Sequence, residues 1–361
     1  MSLHEIADDD IVRTHAEGDQ NERPPLVVLE PLIDFLDVAG IGEGELEISP
    51  IGDGHSNVTY AVQRGEADFI LRRPPRGPLP PSAHDVLREA RVIGALDATA
   101  ARVPQVLAVG DDEAIIGAPF FIMERVEGEV ISTELPELFN SEAQRQRLGE
   151  ELIDGLVELH AVDWEAAGLE GFGKPTGYLE RQLRRFGGLW AHNRTRELED
   201  VETVGKWLAE NMPESGPATI VHGDYRLGNV IFTADSPTRL EAILDWEMAT
   251  IGDPLADLGY FATLYVDRED PPLGMFELNS MTREDGFPLR ADLIARYEER
   301  SGRAMTDIRW YQTLALWKTV VFMEGNYKRA VAGSTDDPFL AQFGDGVVQL
   351  AERARAMTDG A

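Results

Sequence analysis

Two short apolar segments, Thr219-Ile220-Val221 and Ala242-Ile243-Leu244, interrupt an otherwise helical C-terminal half, and each runs straight into an aspartate-bearing turn. Apolar runs this short, bounded by turn residues, read as buried strands rather than helices. The first turn is His222-Gly223-Asp224-Tyr225-Arg226-Leu227-Gly228-Asn229, followed by Val230-Ile231-Phe232; the second is Asp245-Trp246-Glu247. The Val-Ile-Phe and Ala-Ile-Leu pieces fit the two arms of a short hairpin. Phosphoryl transfer to a hydroxyl calls for residues of these types. A carboxylate orients and deprotonates the hydroxyl, and oxygen donors hold Mg2+ against the β- and γ-phosphates. Asp224, Asn229 and Asp245 supply that set. The same residues are also compatible with ordinary Asx turns and helix caps.

A change of texture organises the rest of the chain. Residues 1–25 are polar and acidic, end in Arg23-Pro24-Pro25, and read as a flexible lead-in. A short helix is expected near 29–38. From Leu46 extended segments dominate: 47–51, then 58–62 and 68–71 flanking Arg64-Gly65-Glu66 as a hairpin, then 105–109 and 120–126. One helix among them carries Val86, Ala90, Ile93 and Leu96. Beyond Gly128 the pattern is helical, with a strong period in Leu148, Leu152, Leu156 and Leu159. The expected architecture is α+β and bilobal: a lead-in (1–25), a small β-rich N-terminal lobe (26–126) and a larger, mostly helical C-terminal lobe (127–361).

Charge narrows the partners. The chain has 33 Lys and Arg against 65 Asp and Glu, a net charge of −32, and the self-repulsion argues against nucleic acid and anionic membranes. Cysteine is absent, which excludes disulfides, thiolate metal sites and Cys nucleophiles. No apolar run approaches the ~18 residues of a membrane span, and Met1 to Asp10 lacks the basic and apolar regions of a signal peptide. A cytoplasmic protein acting on a small molecule is the expectation, with oligomeric state left open.

The run HGDYRLGNVIF, with AILDWEMATIGDPLADLGYF after it, resembles the catalytic core of the aminoglycoside phosphotransferase and choline kinase superfamily, whose fold is protein-kinase-like. The resemblance implies ATP as phosphate donor, with GTP an alternative, and Mg2+ as the metal. Asp224 would be the catalytic base, and Asn229 on the same catalytic loop would bind the metal with Asp245. His222 would brace the loop and Asp257 would tie down the helix that follows. Asp-Trp-Glu replaces the Asp-Phe-Gly of protein kinases, as is typical of small-molecule kinases.

Such a fold also needs a phosphate-covering loop, a cation for the α- and β-phosphates and a helical glutamate paired with that cation. Gly52, Asp53, Gly54, His55, Ser56 and Asn57 lie between two strands, as that loop requires, although taken alone they are equally a plain hairpin turn. The only lysines are Lys174, Lys206, Lys318 and Lys328, so the cation in the N-terminal lobe has to be arginine. Arg72 is in place on a strand, and guanidinium offers phosphate a bidentate fork. Glu89 is its candidate partner, or else a solvated helix charge. The segment Arg72-Arg73-Pro74-Pro75, with Ser82-Ala83-His84 before Arg88-Glu89, is similar to the phosphotransferase branch that animals fuse to acyl-CoA dehydrogenases. That branch also uses arginine here, and it implies hydroxyacyl-CoA acceptors. At the expected hinge, the Glu124 carbonyl and the Val126 N–H are the candidate adenine contacts.

The superfamily builds its acceptor site from C-terminal-lobe helices, here 178–200 and the stretch after Tyr260. Arg181, Arg184 and Arg185 form a basic cluster that either attracts an anionic acceptor, such as a CoA phosphate, or pairs with Glu180 and Glu197 to Asp200. A small-molecule kinase with a hydroxyl acceptor is the principal reading. A nucleotide-binding kinase-like scaffold without transfer activity is the alternative, and the complete set Asp224, Asn229 and Asp245 argues against it.

Overall fold

A computed structural model describes residues 10–52, 57–77, 84–132, 134–235, 237–272, 277–333 and 340–359. By their contacts these residues form two compact units: Met1–Glu127 with Ala242–Glu247, and Gly128–Glu241 with Met248–Ala361.

The first unit opens with β1 (Ile11–Val12), the helical turn α1 (His15–Gly18) and β2 (Val27–Val28), which runs parallel to β1. There follow α2 (Leu29–Ala39), β3 (Leu46–Ile51), β4 (Val58–Arg64), β5 (Ala67–Arg73), α3 (Val86–Leu96), β6 (Val106–Gly110), α4 (Glu113–Ile116) and β7 (Phe120–Glu124). Strands β3 to β7 make one antiparallel sheet in the order β3-β4-β5-β7-β6. Strand alternation divides the labour on β5. Phe69 and Leu71 enter an apolar core with Tyr60, Val62, Phe120, Leu32 and Leu36, while Arg72 takes the opposite face, toward Glu89 of α3.

Residues 10–25, read from their polarity as a loose lead-in, are tied down. The Arg73 guanidinium donates to the carbonyls of Leu26 and Ile116, Arg76 Nε donates to the Pro24 carbonyl at 2.6 Å, and Arg76 Nη2 pairs with Asp10. One acid, Asp10, and the Pro24 carbonyl of this segment are taken up by Arg76. The boundary also differs from the simple division at 126, because Ala242–Glu247 belong by contact to the first unit. Ile243 N–H donates to the Arg102 carbonyl at 2.8 Å, and Asp245 pairs with Arg72.

The second unit contains α5 (Glu142–His160), α6 (Tyr178–Asn193), α7 (Glu199–Glu210), β8 (Thr219–Val221), β9 (Val230–Phe232) and β10 (Leu240–Ile243), whose last two residues count with the first unit. After these come β11 (Thr250–Gly252), α8 (Leu255–Leu264), α9 (Arg290–Ser301), α10 (Ile308–Val331) and α11 (Phe343–Thr358). Its apolar core is built by α6, α7, α10 and α11 around Trp190, Val204, Trp317, Val320, Val347 and Leu350. The two buried tryptophans of α10 keep their indole N–H groups satisfied: Trp310 donates to the Leu208 carbonyl at 3.0 Å and Trp317 to that of Val201 at 2.9 Å. The β9/β10 ribbon closes on a bond from Thr233 N–H to the Arg239 carbonyl. β8 pairs antiparallel with β11, a strand whose three residues gave no separate signal in the sequence. Among the described residues, no helix is long and apolar enough to cross a membrane.

Candidate active site

The turn after β8 is pinned from below. The His222 and Gly223 N–H groups donate to the two oxygens of Asp257, in the first turn of α8, at 2.6 and 2.8 Å. Gly223 is obligatory here, with φ 90° and a Cβ position only 2.9 Å from Met248. Burial pushes the Asp257 carboxyl upward in pKa, but the hydrogen bond and charge of His160 and the Gly223 N–H outweigh it and hold the group below its usual value. Burial in turn holds the His160 imidazole below its usual pKa, against the opposing pull of Asp257. Its Nε2 faces Asp257 at 3.3 Å and its Nδ1 meets the Tyr297 hydroxyl at 2.7 Å.

On this base Asp224 is fixed at both oxygens. Tyr260 Oη donates to Oδ1 at 2.5 Å, Asn229 Nδ2 donates to Oδ2 at 2.7 Å, and Arg226 Nε lies 3.6 Å from Oδ2. Asn229 Nδ2 also donates to the Asp224 carbonyl at 2.9 Å, and among the described residues Asn229 Oδ1 accepts no hydrogen bond. The Asp224 N–H donates to His222 Nδ1 at 3.2 Å, giving His222 the bracing role expected of it. Each carboxylate oxygen has two lone pairs, so Asp224 keeps capacity for a further donor such as a substrate hydroxyl.

In the first unit Arg72 is a three-way hub. Nε donates to Glu89 at 2.9 Å, Nη1 to the Thr59 hydroxyl at 3.2 Å and Nη2 to Asp245 at 2.6 Å. Burial works against the guanidinium charge, but Glu89 and Asp245 more than offset it and raise the Arg72 pKa. Burial also pushes the Glu89 carboxyl up, against the pull of Arg72, with Asp245 and Glu247 adding like charge. One cation therefore serves three carboxylates. Asp245 has φ 65°, a conformation uncommon outside glycine, asparagine and aspartate and concentrated at functional sites.

The sequence-derived candidates fall as follows. Glu89 is no solvated charge: its side chain is 2% exposed. Asn57, expected in the phosphate-covering loop, is buried and donates to Glu89 at 3.2 Å. Gly52 ends β3 with φ 83°, whereas Asp53, Gly54, His55 and Ser56 lie outside the described residues. Glu124 is exposed at the end of β7, and among the described residues the Val126 N–H meets no backbone carbonyl. The Arg181 guanidinium donates to the Thr176 and Lys174 carbonyls. Among the described residues, Arg184 and Arg185 form no ion pair with Glu180 or with Glu197 to Asp200; it is Arg194 that takes Glu197.

Three contributors escaped the sequence reading. Tyr260 lies three residues beyond Asp257 on α8, a helical spacing that could have revealed it. Thr59 sits directly opposite Arg72 in the β4/β5 register. His84, at φ 58°, places its Nδ1 3.2 Å from Asn57 Oδ1 and extends the chain His84, Asn57, Glu89, Arg72, Asp245.

Residues 47–309 match the phosphotransferase enzyme family, APH. The human acyl-CoA dehydrogenase family member 11 is 31% identical over 316 residues, which cover 86% of this chain and 40% of that protein. The chain thus spans less than half the length of such curated relatives. A Ralstonia eutropha JMP134 protein presumed to be an aminoglycoside phosphotransferase shares the fold at a TM-score of 0.80 and 29% identity, over 92% of this chain and 98% of its own. A thermostable variant of aminoglycoside phosphotransferase APH(4)-Ia, solved with AMP-PNP and hygromycin B, gives a TM-score of 0.59 at 15% identity, over 92% and 99% of the two chains. A β-sheet first unit, a helical second unit and the paired aspartate turns agree with these likenesses, and the chain belongs to the APH phosphotransferase enzyme family, with its kinase-like fold.

Proposed function

We propose that this protein is an ATP-dependent small-molecule kinase that transfers the γ-phosphate to an alcohol hydroxyl, with GTP an alternative donor. The observation that carries this reading is the clamping of Asp224 between Tyr260 and Asn229, which aims a carboxylate with spare acceptor capacity. In the proposed reaction the acceptor hydroxyl passes its proton to Asp224 as its oxygen bonds to the γ-phosphorus. The bond to the β–γ bridging oxygen breaks and ADP leaves. Positioning supplies much of the rate in such transfers.

Mg2+ fits the residues present. Asn229 Oδ1 and the Asp245 carboxylate are hard oxygen donors, and Mg2+ usually takes one or two protein ligands beside phosphates and water. Among the described residues there is no cluster of three or more acidic or histidine groups placed to hold a metal by themselves. The ion supplies neutralisation of triphosphate charge. Arg72, oriented by Glu89, faces the α- and β-phosphates, Gly52 to Asn57 form the covering loop, and the Glu124 carbonyl and Val126 N–H hold the adenine. AMP-PNP in APH(4)-Ia supports the adenine nucleotide.

For the acceptor, the acyl-CoA dehydrogenase name of the human relative supports a hydroxyacyl-CoA. The test is ADP release from MgATP over hydroxyacyl-CoAs, aminoglycosides and choline, with wild type and Asp224→Asn. The reading expects an acceptor-dependent rate that the variant loses by at least about 100-fold. An equal rate in the variant refutes it.

A further inference from the structure

The Gly223 backbone and the Tyr260 ring, which frame Asp224, also line a narrow cavity whose other walls include Tyr178, Asp257, Tyr311 and Lys318. Lys318 is one of only four lysines in the chain, and it points from α10 into this wall. Its Nζ lies 5.0 Å from the centroid of the Phe186 ring of α6, and the Arg185 guanidinium lies 5.8 Å from the same ring. Among the described residues Lys318 makes no hydrogen bond or ion pair, and Arg184 and Arg185 make none either.

The nearby acids make no direct contact with Lys318 among the described residues. Asp257 is occupied by the His222 and Gly223 N–H groups, and Asp224 by Tyr260 and Asn229. Burial lowers the Lys318 pKa to about 8; Asp257 and Asp224 pull the other way, while Arg185 adds to the fall. Near Asp224, the ammonium is partly desolvated and has no direct carboxylate partner among the described residues. Gly187 and Gly188 of α6 leave the neighbouring surface open, since a Cβ on either would touch nothing. The overall charge of −32 does not decide the matter, because exposed charges are screened beyond ~8 Å at physiological ionic strength.

We propose that the hydroxyl acceptor carries an oxyanion, a carboxylate or a phosphate, which Lys318 receives in this cavity, with Arg185 at the same Phe186 ring adding positive charge, while the hydroxyl faces Asp224. The proposal rests on Asp224 being the base of the transfer reaction, but its test does not depend on turnover. The full chain, labelled with 13C and 15N only at lysine, is titrated with inorganic phosphate, acetate and choline, following each lysine by NMR. Lys318→Gln assigns its resonance, and Lys174, Lys206 and Lys328 serve as internal references.

The expected result is that Lys318 alone shifts and saturates with an anion. Its titration midpoint should rise by at least about one pH unit, equivalent to tenfold tighter anion binding by the charged form. Phosphate against acetate then decides which oxyanion is preferred. A Lys318 resonance that ignores both anions, follows choline, or moves in step with the other three lysines overturns the proposal. Asp224→Asn should leave the Lys318 shift intact, so loss of ADP release in that variant and loss of anion binding are read separately.

Discussion

Replacing Arg72 by methionine keeps an aliphatic stem but removes the guanidinium that donates to Glu89, Thr59 and Asp245. Glu89, 2% exposed, would then have Asn57 as its remaining donor and Asp245 and Glu247 as like-charged neighbours. A buried carboxylate that loses its cation either stays charged at a cost of several kcal/mol or takes up a proton. Proton uptake sets the ceiling. Each pH unit above its ordinary pKa of 4.5 costs about 1.36 kcal/mol. The ceiling is therefore about 3.4 kcal/mol at pH 7.0 and about 1.4 kcal/mol at pH 5.5. A carboxyl whose folded pKa is raised favours the fold at low pH and loses that contribution as pH rises. Removing Arg72 raises the Glu89 pKa further, so the deficit should grow with pH. Urea unfolding of wild type and Arg72→Met at both pH values should show the deficit increasing by up to about 2 kcal/mol, with Arg72→Met/Glu89→Gln recovering most of it at pH 7.0. A deficit below about 1 kcal/mol at pH 7.0, or one equal at both pH values, would refute the buried-pair reasoning.

Tyr260→Phe removes one donor to the Asp224 carboxylate, a bond worth about 1.5–3 kcal/mol. It should lower kcat about 10- to 100-fold with KM for ATP nearly unchanged; a selective rise in KM would count against the role. Asp257→Asn should cost about 2–4 kcal/mol at pH 7. Because Asp257 is held below its usual 3.8, its contribution is present above that value and lost as pH falls through the folded pKa, so the gap from wild type should close in acid. A pH-independent gap in urea unfolding would contradict this. Arg73→Met deletes donors to the Leu26 and Ile116 carbonyls and should open the Arg13–Thr14 bond to rapid tryptic cleavage. An unchanged digestion pattern would show that Arg76 alone holds the segment.

The aspartate turns were legible because phosphoryl transfer constrains both residue type and spacing, and because a three-residue apolar strand has little else to be. That the cation is an arginine was legible because the N-terminal lobe has no lysine, while the choice of Arg72 and of Glu89 as its partner rested on the family resemblance and their positions. His84 was not legible, because a histidine in a loop carries no local sign of the amide it will face, and Tyr260 was missed although its spacing of three from Asp257 offered a signal. The Arg184 and Arg185 pair shows the same limit. Nearby acids in sequence suggested local ion pairs, but helix geometry gives Glu197 to Arg194 and leaves the α6 arginines unpaired among the described residues. Residues 10–25 misled for a related reason: acidic and proline-rich composition reads as disorder until the arginines that satisfy it are placed in space.

Calorimetric titration of MgATP into wild type and Asp245→Asn tests the central claim most directly, because it requires no knowledge of the acceptor. Asparagine tolerates the φ of 65° at this position, so the variant removes charge without forcing the turn. Magnesium-dependent ATP binding that weakens at least about tenfold in the variant is the expected result. ATP binding that is independent of magnesium, or the same in both proteins, would contradict it.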